Sequence, residues 1–108
     1  TARYPLPHGH AVAVMLPHVV RINGKAADHL YGELCSDIQL DGKGTEALAS
    51  RLEELQAIAD LPLRLIDCQI NELDLTIMAQ EATEQWTGTF NPLPLREQDF
   101  LKLYKAAL

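Results

Sequence analysis

Six consecutive residues, Ala11 to Leu16, carry no polar side chain. They are opened by Pro7-His8-Gly9-His10 and followed by Pro17-His18-Val19-Val20-Arg21-Ile22-Asn23. A solvated helix face interrupts its apolar residues with polar ones, so this run has to be buried. It is too short for a membrane span, which needs roughly 20 apolar residues. What remains is a buried helix or strand at the centre of the fold, with the rest of the chain packed around it. His8, at the N-terminal mouth of the run, is then a polar group held by a rigid element. Chemistry is to be sought there first.

The chain of 108 residues is read as one domain, 1–108, large enough to bury about two thirds of its unfolded surface. With 47% hydrophobic and 22% charged residues it should fold rather than stay disordered. A net charge of −6, with nine scattered basic residues, argues against nucleic acid and anionic membrane surfaces as partners. Cys35 and Cys68 have no CxxC spacing, which suits core packing in a reducing, cytoplasmic compartment. No signal peptide or transmembrane stretch is expected from these residues. The chain begins at Thr1 without an initiator Met, so a processed product or a fragment of something longer is expected.

Periodicity predicts an all-α domain of about five helices. The first runs from about His10 to Arg21, kinked at Pro17 and stopped by Asn23-Gly24. A second covers Lys25 to about Ser36, with an apolar stripe at Ala26, Ala27, Leu30, Tyr31, Leu34 and Cys35, and with Asp28, His29 and Glu33 solvated. Ser36 to Lys43-Gly44 is a loop, and Thr45 an N-cap for a third helix burying Leu48, Leu52, Leu55 and Ala59 up to Leu61-Pro62. Leu63 to Ile70 alternates like a strand but has no partner strand, so it is read as a connection. Asn71 with Asp74 caps a fourth helix whose apolar side is Leu73, Ile77, Met78 and Ala82, fraying near Trp86. A last helix covers about Arg96 to Ala107, burying Phe100, Leu101, Tyr104 and Leu108.

His8, His10, His18 and His29 are the histidines. On an extended segment His8 and His10 share a side, a pairing able to hold a metal, although ordinary turn histidines look the same in sequence. His18, in an apolar helix, is read as a satisfied core residue. Trp86 is either a packing residue or a pocket wall. No nucleophile triad, phosphate loop or buried carboxylate pair follows from the spacing.

Pro7-His8-Gly9, the small apolar run and Leu16-Pro17-His18-Val19-Val20-Arg21-Ile22-Asn23 together resemble the iron-containing (group III) alcohol dehydrogenases. Tyr31 and Leu34, Thr87-Gly88, Asn91-Pro92 and a closing helix with Tyr104 and Ala106-Ala107 extend the likeness along the chain. The resemblance implies the C-terminal part of the helical domain of the dehydroquinate synthase-like and iron-dependent alcohol dehydrogenase fold. In that family an N-terminal α/β domain binds NAD(P), and iron or zinc sits in the cleft on one Asp and three His. The last of those His transfers to His8. His10 and Trp86 would stand near the substrate, Trp86 narrowing the pocket. The other three ligands and the dinucleotide domain lie upstream of Thr1, so the chain alone should be inactive. Where the family often places Thr or Ser to open the final helix, this chain has Leu95 and Arg96, which predicts a weaker helix start.

Three functional expectations follow. The first is the C-terminal portion of an NAD(P)-linked, metal-dependent alcohol dehydrogenase, partnered by the missing N-terminal domain. The second is a free-standing helical interaction or oligomerisation module, a homo-oligomer formed through exposed apolar surface. The third is a metal carrier using His8 and His10.

Overall fold

A computed structural model describes residues 6–84 and 90–108. Among the described residues four α-helices run in chain order: α1 (His8–Asp37), α2 (Thr45–Ile58), α3 (Leu75–Thr83) and α4 (Glu97–Ala107). Two 3-10 turns, Leu65–Cys68 and Glu72–Asp74, separate α2 from α3. The described residues contain no strand, so the all-α expectation holds, and 63–70 is a connection. Its Leu65 and Ile70 plug the core.

The expected break at Asn23-Gly24 does not occur. The first two expected helices are a single one of 30 residues, continuous through Pro17, Asn23 and Gly24. Each of these three would weaken an isolated helix, and each is answered by a distant residue. Pro17 has no N–H to give the carbonyl of Ala13, and the side-chain amide of Gln56 on α2 donates to that carbonyl instead. Asn23, only 4% exposed, exchanges two amide hydrogen bonds with Asn91, at 2.8 and 2.7 Å. Gly24 lies where α2 begins, and a Cβ there would come within 2.9 Å of Thr45 Cβ. Glycine is therefore a packing requirement of the α1–α2 crossing rather than a helix stop.

Helix α1 is the spine shared by two clusters. Its N-terminal half supplies Val14 to a core with Leu65, Ile70, Leu75 and Ala107. Val20 and Cys35, farther along the helix, belong to a second core with Leu48 and Ala49. The apolar run is buried on one side only: Val14 is 1% exposed, but Val12 is 45% and Leu16 38%. Helices α2 and α4 pack along one flank of the spine, and the described residues leave the other open.

Several local expectations change for the same tertiary reasons. The N-cap of α2 is Gly44, with φ +97°, and not Thr45. Asp28 is exposed, as expected, and in addition reaches across from α1 to accept from the Thr45 N–H (2.9 Å) and hydroxyl (2.6 Å). A carboxylate at a helix N-terminus satisfies a free donor and opposes the positive end of the helix dipole. On α2, Leu48 is buried as expected, whereas Leu55 and Ala59 are exposed and Ala49 and Gln56 lie inside. On the second apolar stripe of α1, Ala27 and Cys35 are buried, but Leu30 and Leu34 face outward.

Asn71 does cap. Its side chain accepts from Leu73 N, and its own N–H donates to Asp74 Oδ2. The turn that follows is 3-10, however, and regular α-helix starts only at Leu75. That phase shift leaves Leu73 and Ile77 exposed and buries Leu75 and Ala79. The start of α4 is not left open by the absence of Thr or Ser, because Asp99 Oδ2 accepts from the Arg96 N–H at 2.9 Å. Leu103 and Ala107 are its buried residues, with Phe100, Leu101, Tyr104 and Leu108 half-buried beside them.

Candidate functional site

The mouth of α1 is built by Pro7. Its fixed φ (−54°) suits entry into a helix, and its carbonyl accepts from the N–H groups of His10 (3.0 Å) and Ala11 (3.2 Å). His8 opens the helix with an exposed side chain, and His10 is half-buried. Both lie in the first turn, where residues two apart diverge by about 200° around the axis. The expected His8–His10 pairing on one side of an extended segment is thus overturned. Among the described residues no three His, Cys, Asp or Glu side chains gather as a metal site. His8 is a donor of suitable type and access, but only one of the set a divalent ion needs.

Below His8, seven residues and about two turns along the same face of α1, is Met15. Met15 and Val19 form one wall of a pocket of about 220 Å³. Leu95 and Asn91 close it from the segment before α4, and Phe100, Leu103 and Tyr104 from α4 itself. The lining is almost wholly apolar, with the Asn91 amide and the Tyr104 phenol as its polar groups. Burial, and then the Glu81 carboxylate, push the Tyr104 phenol above its ordinary value, so it stays a neutral donor. Asn91 is held by Asn23 and by a 2.8 Å bond from its Nδ2 to the Leu93 carbonyl. His10 is not among the lining residues, and Trp86 lies outside the described residues.

His18 stands next to a charged clamp. Arg21 donates to both oxygens of Glu46 (3.0 and 2.9 Å) and both of Glu53 (3.2 and 2.6 Å), pinning α1 to α2. Those bonds hold the Glu46 and Glu53 carboxyls below their ordinary range. Burial first, and Arg21 second, lower the His18 imidazole against an opposing pull from Glu53. It is half-buried and lies in neither core cluster, so it is not the satisfied core histidine expected. The Gln56, Asn23–Asn91 and Asp28–Thr45 contacts were not foreseen. The only local signal for them was the presence of helix-disfavouring residues inside a helical stripe.

No helix among the described residues is long and apolar enough to cross a membrane, including the 30-residue α1.

Comparison with known proteins places this geometry. The model of the Fe-containing alcohol dehydrogenase family, C-terminal, matches residues 1–108. The 1,3-propanediol dehydrogenase of Klebsiella pneumoniae is 32% identical over 111 residues, covering 96% of this chain and 28% of that protein. Lactaldehyde reductase of Escherichia coli K12 is 27% identical, with 98% and 29% covered. A crystal structure of a 1,3-propanediol oxidoreductase superposes with a TM-score of 0.88 at 27% identity, over 97% of this chain and 29% of that one. The chain thus spans under a third of the length of the curated relatives it matches.

Proposed function

Because the chain belongs to the iron-containing alcohol dehydrogenase family, we propose that it is the C-terminal helical part of a metal-dependent oxidoreductase. The full-length protein would interconvert short alcohols and aldehydes with NAD(P), and these 108 residues by themselves would be inactive. The observation that carries the reading is the position of His8. It is an exposed imidazole on the first turn of a long, well-packed helix, directly above the stripe that lines an apolar pocket.

His8 would give one neutral nitrogen to iron or zinc, both of which accept imidazole. The remaining ligands, and the domain that binds the dinucleotide, would come from sequence preceding this segment in the family. That part of the polypeptide is the partner proposed for the open flank of the N-terminal part of α1, at Val12 and Leu16. A metal held there would supply Lewis acidity toward the alcohol or carbonyl oxygen, and the dinucleotide would supply the hydride acceptor or donor. Met15, Val19, Phe100 and Leu103 would hold the hydrocarbon and exclude water. The Tyr104 hydroxyl and Asn91 amide would set its orientation. A pocket of about 220 Å³ suits a substrate of a few carbons, in keeping with the propanediol and lactaldehyde in the relatives' names. His10 would flank the metal on the other side of the helix mouth, and Trp86 would limit substrate size.

The test compares a longer polypeptide, extended at the N-terminus to the length of the relatives, with its His8→Ala variant. Metal content and NAD(P)-linked 1,3-propanediol oxidation are measured in both. The wild type should hold metal and turn over, and the variant should lose metal by tenfold or more, as about expected for removing a direct ligand. A variant that keeps stoichiometric metal removes His8 from the site, and turnover by the isolated 108 residues refutes their inactivity.

A further inference from the structure

The outer face of α1 opposite α2 has an ordered pattern. Residues 25 and 26, 29 and 30, 33 and 34, and 37 and 38 are all exposed, whereas Ala27 and Cys35 between them are buried. Two adjacent rows at i, i+4 spacing result. One is apolar: Ala26, Leu30, Leu34 and Ile38, with the last three 54%, 44% and 53% exposed. The other is Lys25, His29, Glu33 and Asp37, basic toward its N-terminal end and acidic toward its C-terminal end.

That charge order does not serve the helix. Asp37 is the last residue of α1, and no basic residue lies in the last turn. Acids at a helix C-terminus oppose its dipole, and Glu33 and Asp37 repel each other at i, i+4. None of the ion pairs among the described residues uses Lys25, Glu33 or Asp37. Lys43, on the adjoining loop, donates to Ser36 instead.

Reversed, the charged row matches itself. Two copies related by a twofold axis near residue 31 would set Lys25 against the partner's Asp37 and His29 against the partner's Glu33, each contact occurring twice. Moved half a residue on, between 31 and 32, the axis keeps both charge pairs and brings Leu30 beside the partner's Leu34 and Ala26 beside the partner's Ile38, each pair within about 1.5 Å of exact register. Crossing two helices at about −50° makes their i±4 rows parallel, so the two rows run alongside those of the partner where the helices cross. We propose that this face of α1 is a docking surface for a second copy of the chain, packed antiparallel. The inference does not depend on the dehydrogenase assignment. A ridge from residue 25 to residue 37 is roughly 18 Å long, which makes a small interface and a reversible dimer.

Sedimentation equilibrium of the 108-residue chain from about 10 to 500 µM, a range spanning weak association, tests it with three exposed-site variants. The wild type should dimerise reversibly, and Leu34→Glu should abolish association. Lys25→Glu and Asp37→Lys, each placing like charges in both contacts, should raise Kd about tenfold, as two lost charge pairs imply. An equimolar mixture of those two variants restores both opposite-charge contacts, and its Kd should return to within about threefold of wild type. A wild type that stays monomeric throughout assigns the face to another occupant and overturns the proposal. So does a mixture as monomeric as its components, or a Leu34→Glu protein that still dimerises.

Discussion

The side-chain amide of Gln56 donates to the carbonyl of Ala13, the acceptor that Pro17, four residues later, cannot serve. A proline inside a helix normally leaves such a carbonyl to water. Here the site is closed by α2, with Gln56 6% exposed and Pro17 fully buried. Replacing Gln56 with Leu should destabilise the fold by about 1–3 kcal/mol, the cost of leaving a buried polar group unpaired. In a Pro17→Ala background the helix regains its own donor, and the same replacement should cost less than half as much. Urea unfolding of the four proteins measures the coupling, and equal costs in both backgrounds would refute it.

Gly24→Ala should destabilise although alanine is the better helix former by about 1 kcal/mol. The added Cβ meets the Thr45 side chain, and separating α1 from α2 should outweigh the propensity gain, for a net loss of about 1–2 kcal/mol. Thermal unfolding decides it. A stabilised variant would mean that the crossing yields easily.

Asn91→Ala leaves the buried Asn23 amide without its two partners. A loss of about 1–3 kcal/mol is expected, with faster hydrogen exchange at residues 91–95 and in α4. Because Asn91 also lines the pocket, binding of a short apolar alcohol should weaken in the same variant. Unchanged exchange would show that the amide pair does not hold this segment.

Asp28 caps α2, and the Thr45 hydroxyl first, then the Thr45 N–H, hold its carboxyl below the ordinary 3.8. A depressed folded value means stability that is present above the unfolded value and is lost as pH falls through the folded one. The melting temperature of Asp28→Ala should therefore lie below wild type at pH 7, with the gap closing as the solution is acidified below 3.8. A gap constant down to the lowest pH would show that the carboxylate charge plays no part.

His18 behaves alike for another reason, since burial disfavours its charged form. Its folded value lies below 6.5, so the unfolded chain binds the extra proton, and stability should decline as pH falls below 6.5. His18→Gln should flatten that part of the stability profile. An identical slope in the variant would assign the decline to other groups.

Helical content, element order and the loop at 36–44 followed from spacing alone, as did the Asn71 cap and the irregular nature of 63–70. Periods and capping residues are local, and local sterics impose them. The exposed position of His8 at the mouth of the apolar run was also legible, since a polar side chain opens it. What local rules could not supply was the continuity of α1. Pro17, Asn23 and Gly24 each count against a helix when judged by their neighbours. Their compensations come from Gln56, Asn91 and Thr45, which reach them only after the chain folds back. Tertiary structure likewise chose which half of the 26–35 stripe faces inward. It buried Ala27 and Cys35 and left Leu30 and Leu34 outside, because α2 covers only one side of the spine. Sequence by itself determined a set of helices around an apolar run. Only the folded chain decided that the run belongs to one helix, since the hydrogen bonds and close contacts that permit it join residues far apart in sequence.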